Sequence, residues 1–328
     1  MTCRRDRSGL AWPGLRAALL AAAMLAATSA ARADEAAAWL ARAAAAAQQQ
    51  NYMGTIVYQH GGHVETSRLV HLFENGSEFE KLVNLEGPAR EVIRSNGEVR
   101  CYYPDARFVR VEPRTFRNAF PSLSTQQQAA LADYYHFRMA ERGRVAGIET
   151  QAWVFEPKDG LRYGHKFWAD PVSGLLVKAR IFDERNEVVE QFAFTEISIG
   201  LRIDREMVKP TWPVAPPGWH VRQSGPGEGE AKETGWTVSR LPPGFLKIVD
   251  GFRRLRGKHE VAHLVYSDGL VAVSVFIEPV GSAPHPVGMS RQGGINVVIR
   301  QQDDNLVTVL GEVPAATVRQ IAHSVARR

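Results

Sequence analysis

The chain has 328 residues, with 40 Lys and Arg against 35 Asp and Glu and a formal net charge of +5. Arg4, Arg5, Arg7, Arg16 and Arg32 all fall in the first 33 positions, opposed only by Asp6. Without that segment 35 basic and 34 acidic side chains remain, a net of +1, which excludes the basic surplus of a nucleic-acid-binding domain.

The first 33 residues read as an address. An Arg-rich start is followed by the apolar run Ala17–Ala27 and by Ala31-Arg32-Ala33, the n-, h- and c-regions of a secretory signal peptide. The run is shorter than the roughly 20 residues a transmembrane helix needs. The mature chain is expected to begin at Asp34, outside the cytoplasm. Cys3 leaves with the signal, so Cys101 is the sole thiol of the mature chain and no intramolecular disulfide can form. Stability must then come from a packed core, with Cys101 expected as a buried, inert residue on a strand.

From Asp34 to Gln50 the chain is Ala-rich and carries Trp39 and Leu40, the pattern of one amphipathic helix. Beyond it the texture changes to β-branched and aromatic runs. Strands are predicted at Tyr52–His60, His63–Phe73, Glu78–Asn84, Arg90–Arg94, Glu98–Tyr103 and Arg107–Val111, separated by turn residues such as Gly61-Gly62, Asn75-Gly76 and Asn96-Gly97. A helix is predicted over Ser124–Phe137, then strands at Gln151–Glu156, Arg162–Ala169, Leu175–Asp183 and Val188–Ile199. Between Pro210 and Gly229, nine of twenty residues are Pro or Gly, a density that predicts an irregular linker over 210–235. A smaller unit follows over 236–328. Strands are predicted there at Phe245–Phe252, Val261–Ser267, Val271–Glu278, Asn296–Gln301 and Leu306–Leu310, with a closing helix at Ala315–Ala326. The fold class is α+β, in two domains at 34–209 and 236–328.

The two domains differ in charge. Residues 34–235 carry 24 basic and 27 acidic groups, whereas residues 236–328 carry 11 and 7. The densest basic stretch holds Arg253, Arg254, Arg256 and Lys258. It reads either as a solvated face or as a docking surface for an acidic partner segment, where such charges serve on-rate and selectivity.

One motif invites a catalytic reading. His259-Glu260-Val261-Ala262-His263 matches H-E-x-x-H, which holds zinc when a helix brings both histidines to one face. Here the following residues, Leu264 to Ser267, read as strand. Positions four apart on a strand are about 13 Å apart, too far to share one ion. No nucleophile elbow, phosphate loop or dinucleotide fingerprint is present, and no cofactor is implied. The first domain does hold many aromatics. A strongly curved antiparallel sheet under a helical cover can enclose an apolar cavity, and Tyr102, Phe108, Trp153, Phe155, Phe167 and Trp168 are the candidates to line it.

Several segments carry a family resemblance. Asn51-Tyr52-Met53-Gly54-Thr55-Ile56-Val57-Tyr58, Arg90-Glu91-Val92-Ile93-Arg94, Cys101-Tyr102-Tyr103-Pro104-Asp105, Leu241-Pro242-Pro243-Gly244-Phe245 and the run from His263 to Pro279 resemble the MucB/RseB family, in order and across both domains. The resemblance implies a periplasmic negative regulator of an envelope-stress sigma factor of the sigma-E or AlgU type. Such a protein binds the periplasmic part of a membrane-spanning anti-sigma factor and shields it from proteolysis. The resemblance also implies a large domain similar to LolA and LolB, an unclosed β-barrel with a helical lid. Lipid, lipopolysaccharide or lipoprotein acyl chains are then the signals that loosen the complex, and homo-oligomers are open. No catalytic residue is implied. Two other readings compete: a lipid or lipoprotein carrier built on the same half-barrel and, more remotely, a zinc hydrolase at HEVAH.

Overall fold

The computed structural model describes residues 35–95, 97–113, 125–223, 233–255, 259–281 and 286–328; the expected signal segment lies outside them. Helix α1 (35–49) opens the described chain. Ala36, Leu40 and Ala43 form its fully buried stripe at helical spacing. Nine of its fifteen residues are Ala, so the helix backbone settles close to the sheet beneath it.

Strands β1 (Tyr52–His60), β2 (His63–Glu74), β3 (Ser77–Asn84), β4 (Glu91–Ser95), β5 (Glu98–Tyr103) and β6 (Phe108–Pro113) follow as an antiparallel meander. Helix α2 (Thr125–Tyr134) runs directly into β7 (Tyr135–Val145). Strands β8 (Ile148–Pro157), β9 (Gly164–Ala169), β10 (Leu176–Phe182) and β11 (Val188–Ile199) then return to pair with β1. With β12 (His220–Gln223) they make one 12-stranded sheet, ordered β12-β6-β5-β4-β3-β2-β1-β11-β10-β9-β8-β7. Its end strands β12 and β7 do not pair with each other, so the curved sheet is an unclosed barrel.

Two sequence expectations are corrected here. The helix predicted to Phe137 stops at Tyr134, and β7 takes over. That strand lies at the sheet edge with six of its eleven residues exposed, so it carries no apolar alternation to read. The segment 210–235 was expected to be irregular, yet His220–Gln223 pairs in parallel with β6. The free edge of β6 supplies partners that Pro/Gly density cannot reveal, as in the His220 amide donating to the Arg107 carbonyl at 2.9 Å.

The smaller unit begins with β13 (Trp236–Val238), followed by β14 (Leu246–Leu255), β15 (His259–Ser267), β16 (Ala272–Pro279), β17 (Gly288–Gln292), β18 (Ile295–Gln302) and β19 (Asn305–Gly311). Strands β14 to β19 form a six-stranded antiparallel sheet, ordered β14-β15-β16-β19-β18-β17. Helix α3 (Ala315–Ala322) packs Val318 and Ile321 against Val273, Val275 and Val309 of that sheet. The helix predicted to Ala326 ends at Ala322, because Val325–Arg327 forms β20 opposite β13. No helix among the described residues is long and apolar enough to cross a membrane.

Candidate functional site at the aromatic floor and the seam

Strand alternation sends Trp153 and Phe155 of β8 to one face, and register places Phe167 of β9 opposite Trp153. Phe155 and Phe167 meet edge to face with centroids 5.2 Å apart. Trp39 of α1 lies over all three rings, at 5.8 Å from Trp153 and 6.3 Å from both Phe155 and Phe167. The aromatic floor of the half-barrel is therefore roofed by its own helix. What remains beside Trp39 is a cleft of about 180 Å³, bordered by Arg42, Met139, Trp153 and Asp170. That is below the roughly 300 Å³ at which ligand pockets begin. An apolar chain reaching this floor must displace Trp39. The helix is tethered against such movement by Arg42, whose guanidinium donates to the carbonyls of Pro171 and Val172 at 2.8 and 2.6 Å.

The other three expected lining residues stand elsewhere. Trp168 follows Phe167 and so faces the opposite side of the sheet, under Lys166, Lys178 and Arg180 at 4.9, 4.8 and 5.6 Å from its ring. Tyr102 is buried with Ile93, Val109 and Val111 at the far end, where Trp212 covers it at 6.0 Å. Phe108 stacks on Tyr103 at 5.7 Å, with the Arg222 guanidinium 5.6 Å from its ring. On the floor itself, burial alone pushes the fully enclosed His165 down to about 3.

The second feature is the seam between the two sheets. Arg162, just before β9, points into the small unit and is fully buried. Its Nη1 donates to Asp268 Oδ2 at 2.9 Å, and its Nη2 donates to the Pro243 carbonyl at 2.7 Å and to Asp159 at 3.1 Å. Tyr134, Tyr135 and Phe245 surround the guanidinium at 4.9, 5.6 and 5.4 Å. Asp268 has no exposed side-chain surface. Besides Arg162, it accepts from the Tyr135 hydroxyl at 3.1 Å and from the Leu270 and Val271 amides at 3.0 Å each. Burial lifts its carboxyl above the ordinary range, opposed by those donors and the guanidinium. Around this pair, Tyr163 accepts from Asn296 at 3.0 Å and Thr317 donates to the Leu161 carbonyl at 2.6 Å. Gly244 has φ +82°, and a Cβ there would lie 2.3 Å from the Tyr134 ring, so only glycine allows this approach.

At another point on the seam, His60 at the end of β1 meets Glu190 of β11 and Glu312, which follows β19. His60 Nδ1 lies 3.5 Å from an oxygen of each carboxylate. Burial, then the hydrogen bond to and the charge of Glu190, pushes Glu312 up to about 9.

The basic stretch is partly committed to the seam. Arg253 donates to Glu112 of β6 at 2.9 Å, so this cation already has an acidic partner within the chain. Arg256 and Lys258 lie outside the described residues, as does the side chain of Arg254. The HEVAH stretch runs as strand within β15, in keeping with the geometric objection to a zinc site there. His263 stacks flat on Phe276 at 4.3 Å, and burial followed by the nearby Arg253 charge pushes it down to about 4. Cys101 is a buried free thiol on β5.

Comparison with known proteins gives this arrangement a context. The MucB/RseB N-terminal domain family matches residues 35–212, and the MucB/RseB C-terminal domain family matches residues 230–326. The chain belongs to the MucB/RseB family. It is 32% identical over 284 residues to the sigma factor AlgU regulatory protein MucB of Pseudomonas aeruginosa, covering 84% of this chain and 85% of that protein. It is 26% identical over 264 residues to the sigma-E factor regulatory protein RseB of Escherichia coli, covering 80% of this chain and 81% of that one. Among solved structures, a crystal structure of MucB in complex with MucA(peri) matches with a TM-score of 0.69 at 30% identity, over 88% of this chain and 98% of that one. A crystal structure of MucB matches with a TM-score of 0.65 at 28% identity, over 90% of this chain and 98% of that one.

Two of the segments that carry the MucB/RseB resemblance meet at the seam. Pro243, Gly244 and Phe245 come from one, and Asp268 and Leu270 come from another. Sequence reasoning missed Arg162, Asp268 and Tyr135, and also His60, Glu190 and Glu312. A faint signal existed for the first pair: Asp268-Gly269 interrupts a long apolar run, and Arg162 stands between Leu161 and Tyr163 at the head of a strand. Nothing local links them across a separation of 106 positions.

Proposed function

We propose that this chain is an exported negative regulator of an envelope-stress sigma factor. It loses residues 1–33 on export to the periplasm, and its folded part divides into a half-barrel at 34–209 and a small domain at 236–328. There it binds the periplasmic part of a membrane-spanning anti-sigma factor and protects it from proteolysis. The observation that carries this reading is the end-to-end likeness, through both sheets, to MucB and RseB, which are named as sigma factor regulatory proteins. The chemistry of the site supports binding rather than turnover: the half-barrel presents packed aromatics, and the HEVAH stretch is a strand.

The same geometry suggests how lipid releases the partner. A ligand shifts an equilibrium only if it binds one state better than the other. With Trp39 and Arg42 in place, the floor has room for little more than a fragment of an acyl chain. A lipid or lipoprotein acyl chain therefore binds a state in which α1 has moved. The partner binds the state in which α1 is seated and the seam is closed. Arg253, Arg254, Arg256 and Lys258 supply part of the dock.

The test is a binding titration against the periplasmic fragment of the anti-sigma factor encoded by the same genome, with and without a defined acyl ligand. Tight 1:1 binding that weakens at least tenfold with the ligand is expected. The triple charge reversal of Arg253, Arg254 and Arg256 should lower affinity and flatten its salt dependence. Absence of binding to the fragment sinks the regulator reading. Unchanged affinity and salt slope in the triple variant removes those residues from the dock.

A further inference from the structure

The cluster at His60 has the makings of a metal centre. Its three side chains come from both sheets: His60 and Glu190 from the large one, Glu312 from the small one. One ligand atom from each lies within 4.8 Å of the others. His60 Nδ1 is 3.5 Å from Glu190 Oε2 and 3.5 Å from Glu312 Oε1. Two ligands bound to zinc at about 2.0–2.1 Å in a tetrahedron sit about 3.3–3.4 Å apart. The observed spacing is therefore close to an edge of that tetrahedron.

The protonation of the imidazole is set by its other nitrogen. Nε2 lies 3.2 Å from the backbone carbonyl of Gln292, which can only accept, so Nε2 carries the proton and donates. In the neutral ring Nδ1 then presents a lone pair, and it presents it to two carboxylates. Both His60 Nδ1 and Glu312 Oε1 are buried and make no hydrogen bond. The imidazole lone pair therefore meets no hydrogen, while Glu312 shares a hydrogen bond with Glu190, and a zinc ion at the centre would satisfy all three groups in place of that proton. A histidine whose second N–H is held by a carbonyl is also the usual arrangement of a metal-ligating imidazole.

The surroundings hold these groups in place. Tyr58 stacks parallel to His60 with centroids 6.3 Å apart, and its hydroxyl donates to Glu190. Gly293 lies against the imidazole so closely that a Cβ there would be 2.5 Å from Nε2. The three ligand side chains remain 18–25% exposed, so an ion has a path in and a fourth position stays open to water.

We propose that His60 Nδ1, Glu190 and Glu312 bind one zinc ion that fastens the small unit to the half-barrel. The mixed nitrogen and oxygen set favours zinc over calcium or magnesium, which prefer all-oxygen shells. Because two ligands belong to one sheet and the third to the other, the ion exists only while the seam is closed. Metal binding thereby adds to the stability of the closed arrangement by simple linkage. This site stands on geometry alone, independent of the regulator reading.

The experiment is calorimetric titration of zinc sulfate into the purified, chelator-stripped protein, with calcium and magnesium chloride as comparisons. One saturable zinc site is expected, at least tenfold tighter than either comparison ion, with a raised melting temperature on loading. Glu312→Gln and His60→Ala should each weaken zinc at least tenfold while leaving the circular dichroism spectrum of the metal-free protein unchanged. If either variant misfolds, Glu190→Gln serves in its place. The absence of saturable zinc binding overturns the site, and points to a protonated His60 filling the gap. Stoichiometric binding that survives both substitutions overturns it equally.

Discussion

The seam between the two sheets is built in two opposite ways. At its centre Arg162 and Asp268 are wholly buried, and their other hydrogen bonds go to Asp159, to Tyr135 and to the backbone. At His60 an imidazole nitrogen without a hydrogen bond faces two carboxylates, in side chains 18–25% exposed. The comparison separates two jobs. A dry, fully satisfied ion pair fixes how the sheets meet, since any other docking leaves charges buried without partners. An incompletely satisfied, accessible cluster can instead respond to what the solvent offers.

Breaking the dry centre should have the largest effect. Asp268→Asn leaves the buried guanidinium with Asp159 as its one carboxylate partner and is expected to cost about 3 kcal/mol of unfolding free energy. Removing the guanidinium as well, Arg162→Met with Asp268→Asn, keeps an acceptor for the Leu270 and Val271 amides and should recover part of that loss, and denaturant unfolding of the variants checks the order. A pair of equal losses would show that the seam adds nothing through this contact.

A pH effect comes next, from the floor rather than the seam. His165 takes up a proton near pH 6.5 when unfolded but only at about 3 when folded. The unfolded chain therefore binds more protons between those values, and stability falls as pH drops below about 6.5. The loss from this one group should reach about 2 kcal/mol at pH 5. His165→Phe should flatten the decline by that amount, whatever its offset at pH 7. An identical slope in the variant would remove His165 as its source.

The smallest expected effect is at the rim. Arg253→Ala removes a half-exposed pair with Glu112 and should cost no more than about 1 kcal/mol. Raising the salt concentration should shrink the difference further. A loss several times larger would mean that the rim, not the centre, sets the docking of the sheets.

Much of the architecture was legible in the residues. The alternation from Tyr52 to His60 and the turn residues after each run mark β1 to β6 because hairpins are local: the pattern and the turn sit side by side. Strand β7 was illegible because an edge strand buries little. Strand β20 was hidden because Val325 to Arg327 follows α3 without a break in pattern and becomes a strand only where β13 receives it. The aromatic floor was half legible. Trp153, Phe155 and Phe167 could be named as apolar, but period two alone sends Trp168 to the other face. That the roof over them is Trp39, from more than 100 residues earlier, depends on where α1 docks.

By itself the sequence determined the antiparallel hairpins of both sheets, the split in charge and the family. These rest on composition, on short periodicities and on motif order, all of which are properties of neighbouring residues. Tertiary structure alone decided the sites. Arg162 finds Asp268, and the cross-strand pair of His60 and Glu190 finds Glu312, only because two independently patterned sheets come to rest against each other. A buried charge or a ligand cluster is defined by what surrounds it in space, and chain-distant surroundings leave no periodic trace.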